Sequence, residues 1–234
     1  MKTIKLFTII LFVAACFQAI NANAERQTRQ ISGFHGVSVS SGIDLYLTQK
    51  NAEEVFVEAE SDDINKIITE VEGGVLKIYI KEKSWFNLNW NTKPRKVYVS
   101  FITLDKIEAS AGSDVISQGQ FKLDRIKIDA SSGSDVKLEL EANEISVGSS
   151  SGSDISLKGT AINFQADASS GSDIDAGDLQ TKNCNASVSS GSDVKVNVSE
   201  KLDANASSGG DIVYYGNPKI KDINKSSGGD VHGK

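Results

Sequence analysis

Cysteine, histidine and proline are scarce in this sequence, and their scarcity limits what can stabilise the chain or react in it. The 234 residues include two cysteines, two histidines and two prolines. Cys16 lies in an N-terminal segment that resembles an export signal, so Cys184 would remain alone after processing and no intramolecular disulfide could form. His35 and His232 lie near opposite ends of the sequence, and no Ser-His-Asp order or metal-type cluster is indicated. We therefore expect stabilisation by a core, and no cofactor.

Basic residues are also too few for some classes of partner. The chain has 25 lysines and arginines against 31 aspartates and glutamates. Removal of residues 1–24 would take away Lys2 and Lys5, which leaves a net charge of −8. Nucleic-acid binding depends on neutralising phosphates, and binding to anionic membranes depends on basic clusters. We therefore expect neither kind of partner.

The apolar run at the N-terminus, residues 6–17, is too short to be a stable membrane span. It follows the basic stretch Met1-Lys2-Thr3-Ile4-Lys5 and precedes Ala22-Asn23-Ala24, the small-x-small pattern that signal peptidase reads. This order predicts a signal peptide over residues 1–24 with cleavage before Glu25, followed by a mature N-terminal tail over residues 25–30.

A second interpretation of the same segment stays open. Val13-Ala14-Ala15-Cys16 resembles a bacterial lipobox, in which Cys16 would be lipidated and become the new N-terminus. Both interpretations export the chain, to the periplasm, the outer membrane surface or the extracellular space. Neither leaves a transmembrane span after processing.

The sequence is rich in one repeated turn. Ser131-Ser132-Gly133-Ser134-Asp135-Val136 is one of seven copies, with Ala111 replacing a serine early and Gly210 and Gly229 replacing another serine late. The copies are 18 to 21 residues apart, and a period near 19 indicates a stacked repeat architecture. The glycine and aspartate of each copy are Gly112 and Asp114, Gly133 and Asp135, Gly152 and Asp154, Gly171 and Asp173, Gly191 and Asp193, Gly209 and Asp211, and Gly228 and Asp230.

Small or apolar residues alternate with polar ones on both sides of each turn. Around Gly152, for example, Val147 and Ser149 precede the turn and Ile155 and Leu157 follow it, each pair spaced by two. That spacing places these side chains on one face of two strands. About 19 residues per coil predicts an all-β, right-handed parallel β-helix with coils about 4.8 Å apart. A left-handed helix of six-residue repeats is the rival, but no six-residue sub-period is present.

The segment before the repeat is predicted to form further strands. Ser41-Gly42-Ile43-Asp44 looks like a degenerate first copy of the turn, and residues 62–71 fit either a short helix or a strand. We assign a single domain over residues 31–234. N-terminal strands that complete or cap the β-helix occupy residues 31–103, and the seven coils occupy residues 104–234.

Residues 81–96 break the strand pattern and contain both tryptophans of the protein. We predict a long loop or protruding hairpin there. Trp85, Phe86 and Trp90 could stack on sugar faces or anchor a protein contact, and they could equally fold back onto the β-helix or pad a subunit contact.

Three features together resemble a known family. They are Val37-x-Val39-x-Ser41-Gly42-Ile43-Asp44-Leu45, Gly74-Val75-Leu76-Lys77-Ile78 and the serial Ser-Gly-Ser-Asp-Val turns. The chain resembles the head GIN domain family of auto-transporter adhesins over essentially all of residues 31–234. The resemblance implies an exported bacterial protein with a β-helical fold, and it carries no biochemical activity over to particular residues.

The stacked aspartates allow two interpretations. Gly-Ser-Asp-Val-x-Leu resembles part of a calcium-binding nonapeptide repeat, but here the period is twice as long and each coil has one such aspartate. In the alternative, glycine supplies a positive φ and Asp and Ser accept hydrogen bonds from turn amides. We favour the structural turn, with calcium at the ladder as the rival.

The sequence contains little that indicates a catalytic site. Polysaccharide lyases and hydrolases need a clustered, non-repeating set of acids and bases, whereas the aspartates here recur in every coil. Cys184 occupies a slot filled elsewhere by Ile145 and Leu202, which favours a buried hydrophobe over a reactive thiol. The sequence therefore favours a non-catalytic surface or periplasmic module that binds glycans or other surface proteins, with a polysaccharide-active enzyme or a calcium-stabilised solenoid as alternatives.

The C-terminal end adds an expectation about assembly. After the last turn only His232-Gly233-Lys234 remain, so little is left to cover Ile223 and Val231. A solenoid end without a cap exposes strand edges and core. We therefore expect a homo-oligomer in which another subunit covers this end or a sheet face.

Overall fold

The computed structural model describes residues 24–81 and 94–234, and this part of the chain is almost entirely β-structure. None of the described residues belongs to a helix with the length and hydropathy that crossing a membrane requires. In chain order the elements are β1 Ala24–Arg29, β2 Gly36–Val39, β3 Asp44–Gln49, β4 Glu54–Glu60, α1 Ser61–Ile64, β5 Ile67–Glu72, β6 Val75–Ile80, β7 Lys96–Phe101, β8 Lys106–Ala109, β9 Asp114–Ser131, β10 Asp135–Ser150, β11 Asp154–Ser169, β12 Asp173–Val188, β13 Asp193–Ala206, β14 Asp211–Tyr215, β15 Ile220–Lys225 and β16 Asp230–Gly233.

Strands β9 to β13 each cover most of one coil and stack in parallel. Residues one repeat apart stand side by side, as Asp135 does with Asp114 on one side and Asp154 on the other. β14, β15 and β16 continue the stack in shorter pieces. The chain is a parallel β-solenoid of about seven turns, roughly 19 residues apart, and the β-helical fold predicted from the repeat is confirmed.

The core lies inside the coils and is built by the alternation of the strands. Val115, Val136 and Ile155 form one inward ladder and are at most 1% exposed. Full burial of such side chains stabilises a fold by about 1.5–3 kcal/mol each. Towards the N-terminal end the interior holds two large side chains, Phe101 and Phe121, which meet edge to face with ring centroids 4.9 Å apart.

The N-terminal strands add coils in an order that differs from their order in the chain. β2 and β3 pair in parallel with β8 and β9, and β6 and β7 pair in parallel with the other side of β2 and β3. β5 then pairs with β6, and β4 with β7, in antiparallel fashion. These antiparallel strands close the stack and cover the core at this end.

The structure defines the secondary structure of two N-terminal stretches that the sequence pattern did not. Residues 62–71 contain both predicted elements, because the short helix α1 is followed directly by strand β5. Residues 25–29 of the segment assigned to the N-terminal tail lie in β1, which pairs antiparallel with β4.

The opposite end of the solenoid is open. β15 pairs with β13 alone and β16 with β14 alone among the described strands. Ile223 stands in register with the buried Ala204 of the coil before it, yet it is 36% exposed. Ile223 is therefore an inward position of the described chain that stays partly exposed.

Candidate functional site

The repeated turn bends the chain with two consecutive residues at positive φ. The motif glycine has φ near 70° in each coil, for example 68° at Gly133 and 69° at Gly152. The serine before it also has positive φ, 57° at both Ser132 and Ser151. This conformation points the glycine N–H along the solenoid axis, where the Gly133 amide donates to the carbonyl oxygen of Ser151 at 3.2 Å. The hydrogen-bond ladder therefore continues around the corner.

The serine after the glycine holds the inside of the turn. Ser153 is fully buried, and its hydroxyl contacts the carbonyl oxygen of Ala130 at 2.9 Å and accepts from the Ser150 amide at 3.1 Å. In the last two coils Gly210 and Gly229 stand at this position. There the turn closes by a direct backbone bond, from the Gly229 amide to the carbonyl oxygen of Ser226 at 2.9 Å, and a Cβ at Gly229 would collide with the Ala206 backbone.

The aspartates of the turns form an outward ladder along one edge of the solenoid. Desolvation, and then the like charges of neighbouring aspartates, raise the pKa of Asp114, Asp154 and Asp193 above the ordinary value for a carboxyl group. The Asp193 amide lies 3.3 Å from the Asp173 carboxylate, a contact to the neighbouring coil. Within residues 24–81 and 94–234 no group of three or more His, Cys, Asp or Glu side chains is arranged to hold a metal ion.

A broad polar face lies on the strands that lead into the turns. Outward side chains from successive coils align into four rows along the solenoid axis. Row one is Arg125, Glu144, Asn163, Asn183 and Lys201; row two is Lys127, Ser146, Gln165, Asn185, Asp203 and Asp222; row three is Asp129, Gly148, Asp167, Ser187, Asn205 and Asn224; row four is Ser131, Ser150, Ser169, Ser189, Ser207 and Ser226.

Rows two and three are tied to each other by side-chain hydrogen bonds. Gln165 Nε2 donates to Asp167 Oδ2 at 2.9 Å, and Asn205 Nδ2 donates to Asp203 Oδ1 at 3.0 Å. Lys127 Nζ lies 2.8 Å from Asp129 Oδ2, and this bond raises the pKa of the lysine. These links restrict the rotamers of the two middle rows in the coils that carry them, and rows two and three together are called the ridge.

Two shallow grooves flank that ridge. Groove one lies between rows one and two, has a volume of about 470 Å³, and extends from Asp105 to Asp203. Groove two lies between rows three and four, towards the C-terminal end, with a volume of about 360 Å³. Both run along the solenoid axis, because the rows that form their walls do so.

Groove one is charged at its ends and uncharged in its middle. Arg125, Lys127 and Glu144 line the N-terminal part, and Lys201 and Asp203 line the C-terminal part. The two coils between them contribute only amide side chains to the two walls, namely Asn163, Gln165, Asn183 and Asn185. This arrangement offers a regular set of neutral hydrogen-bond donors and acceptors.

Cys184 lies in the floor of groove one but is directed into the core. It is 4% exposed and stands in register with Phe164 and Leu202. Burial raises the pKa of its thiol to about 12. The thiolate is the reactive form of cysteine, so burial and the raised pKa both favour a core role for this residue over a nucleophilic one.

The aromatic residues predicted to bind, Trp85, Phe86 and Trp90, lie outside the described residues, and their role stays a prediction. The structure shows another aromatic row that the sequence analysis did not single out. Tyr46 and Tyr98 stack on neighbouring strands with ring centroids 5.0 Å apart and planes 17° apart. Tyr46 is also in register with Ile116 and Tyr98 with Phe56, so the pair belongs to an outward row of apolar and aromatic side chains.

The polar face was visible in the sequence only as a general alternation of inward and outward positions. The residues at eight, six and four positions before the motif glycines from Gly133 to Gly209 are those of rows one to three. The asparagines and glutamine in these rows can be located by aligning the copies of the repeat. The hydrogen bonds between rows two and three join side chains two positions apart on one strand, and the alternation of the sequence does not indicate them.

Solved structures share this fold at low sequence identity. A putative adhesin from Bacteroides fragilis superposes with a TM-score of 0.82 at 21% identity, covering 92% of this chain and 98% of that one. A putative lipid binding protein from Parabacteroides distasonis has a TM-score of 0.67 at 23% identity, covering 91% and 98%. A putative adhesin from Parabacteroides merdae has a TM-score of 0.70 at 16% identity, covering 92% and 97%. At these identities the likeness establishes the fold alone.

A comparison of the sequence with protein families identifies the family of the chain. No curated protein matches the chain. A family described as putative auto-transporter adhesin, head GIN domain, matches residues 33–218, which include strands β2 to β8 and all but the last of the seven turns. The resemblance inferred from the turns is therefore confirmed, and the chain belongs to the head GIN domain family of putative auto-transporter adhesins.

Proposed function

We propose that this chain is an exported, non-catalytic binding protein of adhesin type, which holds glycans or other surface proteins on the polar face of its solenoid. The observation that carries the proposal is the ridge of rows two and three with an open groove on each side. Hydrogen bonds such as Gln165 to Asp167 fix the side chains before a partner arrives. A preorganised surface loses less side-chain entropy on binding.

The spacing of carboxylates supports binding over cleavage. Asp105, Glu144 and Asp203 line groove one, and the coils that carry them are at least two apart, which is about 10 Å or more along the axis. Carboxyl pairs that cleave glycosidic bonds are about 5 to 9.5 Å apart. Incubation with neutral and acidic polysaccharides should leave their chain length unchanged, and release of shorter products would favour the enzyme alternative.

The lipid-binding description of one structural neighbour fits this chain less well. A lipid tail needs an apolar cavity, and the inward positions of the middle coils are filled, with Leu138, Leu157 and Ala176 at most 2% exposed. A lipid would therefore have to bind on the outside, where the polar face is lined by amides and charges.

Export is the second part of the proposal. The family is one of adhesin-like proteins, which suggests an exported or surface location. Mass spectrometry of the protein from its natural host should find an N-terminus at Glu25 for a secreted protein or a lipidated Cys16 for a lipoprotein. An intact Met1 would contradict both.

A matched pair of variants tests the binding surface. Labelled protein is applied to arrays of glycans and of surface proteins, with Ser146→Trp on row two and Ser156→Trp on the outward face of β11 away from the grooves. We expect Ser146→Trp to remove binding and Ser156→Trp to retain it, because only the first fills groove one. Equal binding by both variants would place the partner elsewhere, and Trp85→Ala with Trp90→Ala on the same arrays would then test the predicted loop.

A further inference from the structure

We infer that groove one is a site for an uncharged polysaccharide chain that lies parallel to the solenoid axis; this inference rests on the proposed binding function and names its ligand class. The walls of groove one are uncharged in its middle, which favours an uncharged ligand. The middle of the groove carries no ionised side chain in its walls, where Asn163, Gln165, Asn183 and Asn185 lie. An acidic polymer would find no cation in the walls of these two coils, whereas a neutral chain needs none.

The second argument is the direction and period of the hydrogen-bonding groups. Amides recur on the same wall once per coil, with Asn163 in register with Asn183 and Gln165 with Asn185. Coils are about 4.8 Å apart, a distance comparable with the length that one sugar ring adds to an extended glycan. Two consecutive hydroxyl-bearing rings along the groove can therefore meet an equivalent pair of amides in these two coils.

Several amide donors and acceptors in the walls of groove one remain free to bind a ligand. Asn183 Nδ2 donates to Asn163 Oδ1 at 2.9 Å, which fixes the orientation of both amides. The pair keeps the Asn163 amide hydrogens and the Asn183 carbonyl oxygen for a ligand. Asn185 makes no side-chain hydrogen bond within the described part of the chain, and it faces this pair across the groove. Sugar hydroxyls both donate and accept, so they suit this mixture.

The fourth argument is the floor between the walls. It is formed by the outer edges of Ile145, Phe164 and Cys184, which are 2–4% exposed. The narrow apolar strip complements the C–H groups of a sugar ring, while the amides on either side meet its hydroxyls. A peptide in this position would instead need partners for its backbone N–H and C=O groups at strand spacing, and the floor strands already pair with each other.

The test is a titration of the intact chain with length series of neutral oligosaccharides, such as β-linked glucose, mannose and galactose series, by calorimetry. We expect affinity for one series to rise with length and to level off at about five sugars, the number of coils that groove one spans. Because no ion pairs are involved, raising the salt concentration should change the dissociation constant less than twofold.

The variants are Asn163→Ala combined with Asn183→Ala, and Asn143→Ala as the matched control. Asn143 is an exposed amide that donates to Asp124 at 2.8 Å, away from groove one. We expect the double variant to weaken binding about tenfold or more, since two or more hydrogen bonds are lost, and the control to bind as the original chain does. Thermal unfolding of all three should be unchanged, because the altered side chains are on the surface.

The outcomes separate this inference from the proposed function. Binding of an acidic polysaccharide or a protein that Ser146→Trp abolishes would overturn the neutral-glycan site and leave the binding function intact. Binding of neutral glycans that survives the double variant would also overturn the site. If no glycan or surface protein binds at all, the proposed function itself fails.

Discussion

The Ser134 hydroxyl lies 3.0 Å from the carbonyl oxygen of Ala109, in the coil before its own, and the serine is fully buried. The same hydroxyl accepts a hydrogen bond from the Ser131 amide at 3.1 Å. One small side chain therefore closes its own turn and joins it to the neighbouring coil. The arrangement repeats at Ser153 and Ser172, so this serine joins neighbouring coils at three successive corners.

Replacing Ser134 by alanine should lower the free energy of unfolding by about 1–3 kcal/mol, because the buried Ser131 amide loses its acceptor. Urea denaturation followed by circular dichroism measures the change. Ser156→Ala, on an exposed outward position, serves as the control and should fall within about 0.5 kcal/mol of the original chain. A loss of similar size in both variants would show that the hydroxyl at the corner is not what stabilises it.

The serine that precedes each motif glycine should be sensitive to the shape of its replacement. Ser170 has φ of 61°, a conformation that β-branched residues rarely adopt and that asparagine tolerates. We expect Ser170→Val to destabilise the protein by about 1–3 kcal/mol through backbone strain, and Ser170→Asn to leave it nearly unchanged. The side chain is exposed, so packing does not enter the comparison. Comparable melting temperatures for the two variants would contradict this reason.

The turn includes one feature that the sequence predicts and one that it does not. Inward positions followed from a spacing of two, because burial selects apolar side chains at every second residue, as at Val136 and Leu138. The positive φ of serines such as Ser132 could not be foreseen, because serine ordinarily avoids that region. It is imposed by the need to continue hydrogen bonding between coils, a tertiary requirement without a local signal.

The N-terminal strands also have features that the sequence pattern could not predict. β1 is a polar strand with mostly exposed side chains, so it has no alternation that would reveal it. The placement of β6 and β7 outside β2 and β3 depends on pairing between strands far apart in sequence. The amide rows of groove one were present in the repeat, but their lateral hydrogen bonds appear only once the coils are in register.

The aspartate ladder predicts a pH dependence of defined sign. Desolvation and the charges of Asp173 and Asp135 raise the pKa of Asp154 in the folded state above its ordinary value of 3.8. The folded state then binds protons more tightly than the unfolded state, so stability falls as pH rises through the window above 3.8. Asp154→Asn should therefore raise the melting temperature at pH 7, and the gain should shrink below about pH 3.8 because Asp154 is then protonated in both states.

The same variant distinguishes the two interpretations of the ladder. If the aspartates only form turns, calcium and chelator should leave the melting temperature of the original chain unchanged at pH 7. If a cation is required, Asp154→Asn should lower the melting temperature and remove a calcium-dependent gain. Scanning calorimetry with and without calcium, on both chains, separates these results.

The last prediction concerns Ile223 and the open C-terminal end. Its slot is inward, since it aligns with buried Ala204, but nothing in the described chain lies over it. Lys221 aligns with buried Leu202 and lies over the Tyr214 ring at 5.4 Å, which makes this end only partly polar. Unpaired strand edges beside an exposed isoleucine favour association with a second copy.

We therefore expect the chain to form a homo-oligomer at micromolar concentration, and Ile223→Lys to convert it to a monomer, because a lysine there would be desolvated in the contact. Ile162→Lys is the matched control: Ile162 is 40% exposed, similar to Ile223, but lies on the side of the solenoid and should leave the assembly intact. Light scattering of the three proteins measures their mass, and hydrogen exchange reports on the last coil. A monomeric original chain whose β15 amides are already well protected would show that the last coil needs no second copy to cover it.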